Sequence, residues 1–207
     1  MRQQTLLKIV RVLRNEQDKG LTILGISKKL GIGYRPAYNH ITSMEKEGIV
    51  KVERIGNAKK CVLNPGNAKC RHLLEESDCL EKEEIYKENP KIKAVIEGLI
   101  SKLTMEFISD IHSVILFGSY AKGTATKASD IDLLFIVASL KAGRLREGIE
   151  RESASYQYSY NLRVSPLITD IREFRKMMEA EKLNVGKEVR EHGISLYGSE
   201  MFWRLLA

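Results

Sequence analysis

Apolar residues recur at helical spacing through most of the first 50 residues. In the first segment Leu6, Ile9, Val10 and Leu13 fall on one face, which is typical of a helix that buries one side. Gly20 follows this segment as a stop signal. The predicted helices run over Gln4–Asn15, over Ile23–Leu30, and from Arg35 or Pro36 to Glu47.

Two short β-prone segments follow the third predicted helix. They cover Ile49–Arg54 and Lys59–Leu63 and flank the tetrapeptide Ile55-Gly56-Asn57-Ala58. Glycine beside asparagine is a common signal for a tight turn between paired strands. We therefore expect a β-hairpin here, with Gly48 closing the helix that precedes it.

The order of two helices, a glycine turn, a third helix and a hairpin is that of a winged helix-turn-helix. The segment GISKKLGIGYRPAYNHITSMEKEGIVKVE resembles the DNA-reading core of many small prokaryotic regulators. The resemblance implies that the third helix enters the major groove with its N-terminus first. The candidate base-reading residues are Arg35, Tyr38, Asn39 and Thr42, and the candidate phosphate contacts include Lys51, Arg54, Lys59 and Lys60.

Charge is distributed unevenly between this segment and the rest of the chain. Residues 1–65 contain 13 Lys or Arg and 5 Asp or Glu, whereas the remaining residues contain 21 and 22. The whole excess behind the net charge of +7 therefore belongs to the N-terminal third. This asymmetry favours a polyanion, such as double-stranded DNA, as a partner of that third. An ordinary solvated basic surface, or a module that binds protein, remains the alternative.

The composition limits the class of protein. Hydrophobic residues make up 43% and charged residues 29%, which is typical of a globular chain. The apolar segment Leu133–Leu140 is far too short to cross a bilayer, and Lys8, Arg11 and Arg14 interrupt the N-terminal apolar residues, so we expect neither a membrane segment nor a signal peptide. Three cysteines without CxxC spacing indicate no disulfide framework, and we expect a cytoplasmic location.

The middle of the chain predicts two helices of different character. Residues 67–88 are rich in charge and predict a mostly exposed helix within a connector that spans residues 66–90. Pro90 then interrupts the chain. Lys91–Ile111 has a broad apolar face and predicts a long amphipathic helix that packs on the domain that follows.

The candidate chemistry lies between two apolar strands. His112–Phe117 predicts a buried strand that ends at Gly118-Ser119, and Tyr120–Gly123 predicts a short helical turn. Asp130 and Asp132 open a second apolar strand, in which alternate side chains share a face. Two neighbouring carboxylates repel each other and are costly to desolvate, and a hard divalent cation such as Mg²⁺ relieves that cost. Glycine next to serine allows close approach to a phosphate.

The segment GSYAKGTATKASDIDLLFIV resembles the signature of the DNA polymerase β-like nucleotidyltransferase superfamily, and above all its small, "minimal" members. The matching residues are Gly118, Ser119, Ala121, Gly123, Ser129, Asp130 and Asp132. The resemblance covers about residues 92–198 and implies an α+β fold: a mixed sheet flanked by helices, joined here to the N-terminal winged helix-turn-helix.

The resemblance also implies a mechanism and its residues. Asp130 and Asp132 would hold two Mg²⁺ (or Mn²⁺) ions and carry catalysis, as in two-metal phosphoryl chemistry. Gly118, Ser119, Lys122 and Ser129 would bind the nucleoside triphosphate. The product would be an acceptor that carries a nucleoside monophosphate, most often AMP, and the acceptor class is a small molecule, a protein or an RNA end.

One position departs from the superfamily pattern, which usually includes a third carboxylate on a later strand. The candidate strand, Tyr158–Thr169, contains no Asp or Glu, and the equivalent position is Ser165 or Arg163. The nearest acids, Glu152 and Asp170, flank that strand. Pro166 marks it as an edge strand or an irregular one.

The C-terminal segment predicts structural elements. Asp170–Leu183 is an amphipathic helix, Val185–His192 is a second short helix, and Ile194–Gly198 resembles the ending of many small nucleotidyltransferase domains. Trp203 is predicted to make a packing contact or a dimer contact.

Together the sequence predicts a winged helix-turn-helix in residues 1–65, a connector in 66–90 and a nucleotidyltransferase-like domain in 91–207. One hypothesis is a nucleotidyltransferase fused to a DNA-binding module. The alternative is a DNA-binding transcription regulator whose second domain is catalytically degenerate and only senses nucleotide or serves as a scaffold. A toxin–antitoxin component is a third hypothesis, by family analogy. Paired half-sites on DNA make a homodimer a further expectation.

Overall fold

The computed structural model describes residues 2–17, 19–56, 58–141, 143–180, 182 and 184–207, without the side chains of residues 2 and 55. The chain divides into two compact units. The first contains residues 1–77 and 206–207, and the second contains residues 78–205. The boundary falls within a single helix, α4 (Ala68–Glu88), which covers most of the predicted connector.

The N-terminal unit contains the three predicted helices, α1 (Arg2–Arg14), α2 (Ile23–Leu30) and α3 (Tyr34–Lys46). Their apolar faces form its core, as the spacing predicts. The fully or nearly fully buried residues include Ile9, Val10, Leu13, Ile26, Ala37, Ile41 and Met44. At the start of α2 the Thr22 hydroxyl accepts a hydrogen bond from the Gly25 amide, and at its end Gly31 adopts a left-handed conformation.

A small antiparallel sheet completes this unit. The predicted hairpin is confirmed as β2 (Val50–Ile55) and β3 (Ala58–Leu63), although Asn57 of the predicted turn lies outside the described residues. The sequence did not reveal β1 (Leu21–Thr22), which pairs with β3 and gives the order β1-β3-β2. Two residues are too few to show the alternation that identifies a strand.

Helix α4 is helical as predicted, but the expectation that it is mostly exposed is wrong. Its buried residues are Cys70, Arg71, Leu74, Ser77, Asp78, Glu81 and Tyr86. Asp78 is fully buried, and its carboxylate accepts a 2.9 Å hydrogen bond from the indole N–H of Trp203. A charged residue can be buried when a partner satisfies it, and the sequence does not show such partners. Trp203 is therefore a packing residue.

The second unit has a mixed sheet flanked by helices, as expected for an α+β fold. In chain order it contains α5 (Pro90–Phe107), β4 (Ile111–Phe117), α6 (Gly118–Ala121), β5 (Ile131–Val137), α7 (Gly143–Tyr160), β6 (Val164–Asp170), α8 (Ile171–Glu179), α9 (Val185–His192), β7 (Ile194–Tyr197) and α10 (Ser199–Leu205). The strand order is β6-β5-β4-β7, with β5 and β6 parallel and the other pairs antiparallel. Strand β6 is therefore an edge strand, in agreement with Pro166.

The apolar core of this unit lies between the sheet and α5. Ile92, Val95, Ile96, Leu99 and Leu103 line the buried face of the helix, as its spacing predicts. The helix ends at Phe107, earlier than predicted, and Ile111 is the first residue of β4. Since a buried strand and a buried helical face are both apolar, the pattern alone does not place the boundary between them.

The sequence did not predict helix α7. Its last turn contains Tyr158, so the predicted strand Tyr158–Thr169 is wrong at its start, and β6 begins at Val164. The buried face of α7 includes Gly148 and Ser153, and a Cβ atom at Gly148 would lie 2.7 Å from the ring of Phe107. Small residues at a close helix–helix contact leave little hydrophobic signal.

The two C-terminal helices predicted from the sequence are present as α8 and α9. The predicted helix over Asp170–Leu183 is shorter than expected and ends at Glu179, and Leu183 lies outside the described residues. Within the described ranges, no helix combines the length and the apolar character needed to cross a membrane.

Candidate functional site

The candidate site lies where β4 ends and β5 begins. These strands are antiparallel, and Phe117 at the end of β4 pairs with Asp132 on β5. The Gly118-Ser119 segment therefore lies directly beside Asp132, as the glycine-serine motif and the aspartate pair together suggest. Asp130 immediately precedes β5, so the two carboxylates lie at the same end of the sheet.

The backbone of Gly118 packs directly against the side chain of Asp132. It has φ +71°, and a Cβ atom there would collide with Oδ2 of Asp132. A larger residue at this position would have to displace the carboxylate or the turn. Glycine is therefore needed at position 118 because the backbone there contacts Asp132, the candidate metal ligand. It also allows close approach of a phosphate.

The loop between α6 and β5 is held by its own hydrogen bonds. The Ser129 hydroxyl accepts a 2.9 Å hydrogen bond from the Thr126 amide, and the Thr124 amide donates to the Ser119 carbonyl at 2.9 Å. Ser129, predicted to bind nucleotide, therefore has a clear role in shaping the loop. The side chain of Ser119 is half-buried.

The environment of Asp132 is electrostatically unfavourable for its charge. Burial raises the pKa of this carboxyl above its ordinary value, and the nearby charges of Asp130 and Glu188 raise it further, while Lys122 acts in the opposite direction. A divalent cation relieves both the burial cost and the repulsion. Two converging carboxylates at the open end of a strand are a donor set that fits Mg²⁺ or Mn²⁺.

Two basic residues lie beside the carboxylate pair. Nζ of Lys122 is 2.7 Å from Oε1 of Glu188 on α9, and Nε of Arg163 is 3.5 Å from Oδ2 of Asp130. No motif in the sequence indicates Glu188, because more than fifty residues separate it from Asp132. Lys122, predicted to contact nucleotide, forms an ion pair with Glu188, and its charge also acts on Asp132.

Strand β6 contributes no acid to this cluster. In the parallel register Ser165, one of the two positions proposed for the missing carboxylate, pairs with Asp132. Glu152 is engaged by Lys102 at 2.6 Å, and Asp170 caps α8 by accepting a hydrogen bond from the Glu173 amide. Among the residues that the structure describes, no group of three or more His, Cys, Asp or Glu side chains could hold a metal ion.

Two clefts flank the α6–β5 loop within this unit. One wall of a 730 Å³ cleft is formed by Tyr120 of α6 and by the α6–β5 loop, including Thr126 and Lys127. The opposite wall is formed by the end of α4 and the start of α5. A smaller cleft of 180 Å³ lies against Asp130, Asn161 and Arg163. The larger cleft has the volume typical of small-molecule sites.

The candidate nucleic-acid interface belongs to the N-terminal unit. Arg35, Tyr38 and Asn39 are exposed on α3, whereas Thr42 is half-buried. On the hairpin, the Lys51 and Arg54 side chains are exposed, and those of Lys59 and Lys60 are half-buried. The Lys59 ammonium lies 5.2 Å from the ring centroid of Tyr38, so the hairpin and the start of α3 form one continuous surface. Tyr34 was not among the candidate DNA-contacting residues, but it is 52% exposed and stacks on Tyr38.

Residues 92–192 match the family model described as "Nucleotidyltransferase domain". That segment is therefore similar to nucleotidyltransferase domains.

Two relatives come from Methanocaldococcus jannaschii. "Putative protein adenylyltransferase MJ1305" is 36% identical over 81 residues, which are 38% of this chain and 55% of that protein. "Putative protein adenylyltransferase MJ0141" is 28% identical over 105 residues, which are 47% of this chain and 98% of that protein. The chain thus spans only about half the length of MJ1305. A crystal structure of a toxin–antitoxin with AMP-PNP matches 53% of this chain and 82% of its own, with 22% identity and a TM-score of 0.36.

We expect Gly118→Ala to abolish binding of Mg²⁺-ATP, because its Cβ would displace the Asp132 carboxylate. Gly123→Ala is a matched control: Gly123 also has a positive φ, of +69°, but no atom lies within 4 Å of the position of its Cβ. In both variants alanine has to adopt a left-handed backbone conformation, which costs about 1–2 kcal/mol, but only Gly118→Ala disturbs the site. Calorimetric titration with Mg²⁺-ATP measures the difference, and equal affinities in the two variants would contradict this account.

We expect Asp130→Asn to lower the pKa of Asp132, because the charge of Asp130 is one of the causes that raise it. NMR titration of the Asp132 side-chain carboxyl carbon measures the change. Glu191→Gln is the control, since Glu191 is one turn from Glu188 and is not among the groups that act on Asp132. In the wild type, cation binding should weaken as the pH falls through the raised pKa, because the proton and the cation compete for the same carboxylate.

Proposed function

We propose that the chain is a divalent-cation-dependent nucleotidyltransferase that transfers a nucleoside monophosphate from a nucleoside triphosphate to an acceptor. The observation that carries this proposal is the Asp130–Asp132 pair beside the Gly118-Ser119 turn, in a segment that matches the nucleotidyltransferase family. Two relatives described as putative protein adenylyltransferases favour ATP as the donor and a protein hydroxyl as the acceptor.

The residues of the site have distinct roles in this proposal. Asp130 and Asp132 hold Mg²⁺ or Mn²⁺, which when bound neutralises the phosphates and favours attack on the α-phosphorus. The Gly118-Ser119 turn binds the outer phosphates, and the Ser119 hydroxyl donates a hydrogen bond to them. Lys122 stabilises the charge that develops on the departing pyrophosphate.

The acceptor binds, in this proposal, in the 730 Å³ cleft beside the α6–β5 loop. That cleft opens next to Tyr120, whose pKa is raised by burial and by the nearby charge of Asp130. A group bound there is therefore close to the acidic pair. The charged residues Glu88, Lys91 and Lys127 line the cleft together with apolar residues, which suits an amphipathic peptide segment.

We expect Asp130→Asn and Asp132→Asn each to reduce metal-dependent pyrophosphate release from ATP by at least about 100-fold, because each removes a ligand of the cation. The matched control is Asp110→Asn, since Asp110 precedes β4 at the opposite end of the sheet. The assay measures pyrophosphate, with and without Mg²⁺, in the presence of candidate acceptor proteins. Undiminished release in both site variants would exclude this reaction at this site.

A second candidate function is nucleotide sensing without transfer. The observation that favours it is Ser165, which occupies the strand position opposite Asp132 where the superfamily usually has a third carboxylate. In this case Mg²⁺-ATP binds and the binding is lost in Asp130→Asn, but no pyrophosphate is released with any acceptor. The same set of variants therefore separates the two functions.

We further propose that residues 1–65 form a winged helix-turn-helix that binds double-stranded DNA, so that the chain joins transcription regulation to a nucleotide site. The exposed start of α3, the adjoining basic hairpin and the charge excess of this third support the proposal. In this proposal the protein acts in the cytoplasm, and a homodimer presents two α3 helices to paired half-sites.

We expect the double variant Arg35→Ala/Asn39→Ala to lose about 10- to 100-fold in affinity for a duplex selected from a random library, because these side chains would read base edges. Lys51→Ala should weaken binding to selected and random duplexes alike, since a phosphate contact has no sequence information. Lys8→Ala on α1 serves as the control for the loss of charge alone. Fluorescence anisotropy at fixed salt measures all four proteins, and unchanged affinity in the double variant would contradict recognition by α3.

A further inference from the structure

The register of β5 and β6 determines which side chains face the acidic pair. Asp132 pairs with Ser165, and the Ile131 amide donates a 2.8 Å hydrogen bond to the Arg163 carbonyl, which fixes this alignment. Residues two apart on a strand share a face, so Arg163 and Ser165 lie on the face of Asp130 and Asp132. Residues 163–165, at the start of β6, therefore offer a guanidinium and a hydroxyl to the site, and no carboxylate.

Arg163 already occupies one side of the acidic pair. Its Nε atom is 3.5 Å from Oδ2 of Asp130, while the side chain remains 65% exposed. An arginine is charged at all relevant pH values, so it is a permanent counter-charge for Asp130. A cation that binds to both oxygens of this carboxylate has to compete with that guanidinium.

The other described acids that flank the site all have partners of their own. Glu188 is engaged by Lys122, Glu152 is engaged by Lys102, and Asp170 caps α8 beyond the far end of β5. Two dications about 3.5–4 Å apart repel strongly and require bridging and flanking carboxylates. Two carboxylates, one of them paired with arginine, supply too little negative charge for that arrangement.

We propose that this site binds a single divalent cation, which arrives with the nucleotide, and that Arg163 takes the place of the second cation beside Asp130. The proposal rests on nucleotide binding as described under the proposed function and specifies how the site holds its metal. Ser165 is then the residue that sets the number of cations. The guanidinium supplies positive charge beside Asp130, whereas Lys122 acts on Asp132.

The test counts Mn²⁺ ions bound per chain with α,β-methylene-ATP, which cannot release pyrophosphate. Electron paramagnetic resonance measures free Mn²⁺ during titration of the full chain. We expect one bound Mn²⁺ in the wild type and two in Ser165→Asp, because the new carboxylate faces Asp132 across the strand pair. Ser101→Asp on the exposed face of α5 is the matched control and should still bind one.

A second variant keeps the test independent of the folding of Ser165→Asp. Arg163→Gln removes the counter-charge of Asp130 and should tighten Mn²⁺ binding about two- to fivefold, as expected for loss of an exposed ion pair that competes with the metal. Weaker or unchanged Mn²⁺ affinity in this variant would overturn the role of Arg163.

The outcomes separate this proposal from the proposed function. Two Mn²⁺ ions in the wild type would overturn the single-cation site and leave nucleotidyl transfer in place. One ion in both the wild type and a folded Ser165→Asp would overturn the role of Ser165. If the wild type binds no nucleotide-linked Mn²⁺, the proposed function fails and this proposal fails with it.

Discussion

The contact between the Gly118 backbone and the Asp132 carboxylate is the constraint on which the second unit's candidate chemistry depends. It requires that β4 end opposite the start of β5, and the Phe117–Asp132 pairing meets this requirement. Since the α carbon of Gly118 has no side chain, the turn lies against the carboxylate and leaves its oxygens at the open end of the strand. The buried apolar residues of both strands hold the turn and the carboxylate in this relation.

Charge compensation is the second feature that organises the site. Burial and the neighbouring acids make the ionised form of Asp132 costly, and Lys122 offsets part of this cost, with Glu188 as its ion-pair partner. Arg163 has the corresponding position at Asp130. Each candidate ligand thus has a basic side chain beside it before any metal binds. The two carboxylates are therefore partly compensated in charge by side chains of the chain itself.

The accuracy with which the sequence predicts helices and strands differs from one element to the next, for physical reasons. Helices with a clear apolar face, such as α2 and α3, were predicted closely because side-chain burial follows the helical period. Helix α7 was missed because two of its four buried residues, Gly148 and Ser153, are small and leave a weak apolar pattern, and β1 was missed because it is two residues long. The burial of Asp78 was missed because its partner, Trp203, is 125 residues away in the chain.

The sequence by itself determined the local parts of the candidate site. The glycine-serine turn, the alternate aspartates and the absence of acid from residues 158–169 all depend on residues close together in the chain, where strand periodicity and glycine geometry apply directly. Only the tertiary structure decided which distant side chains complete the site. The choice between Ser165 and Arg163 opposite Asp132 needed the register of a parallel strand pair, and the Lys122–Glu188 pair needed the packing of α9 beside α6. Such contacts join segments far apart in the chain, and no local pattern encodes their alignment, because it results from the packing of the whole unit.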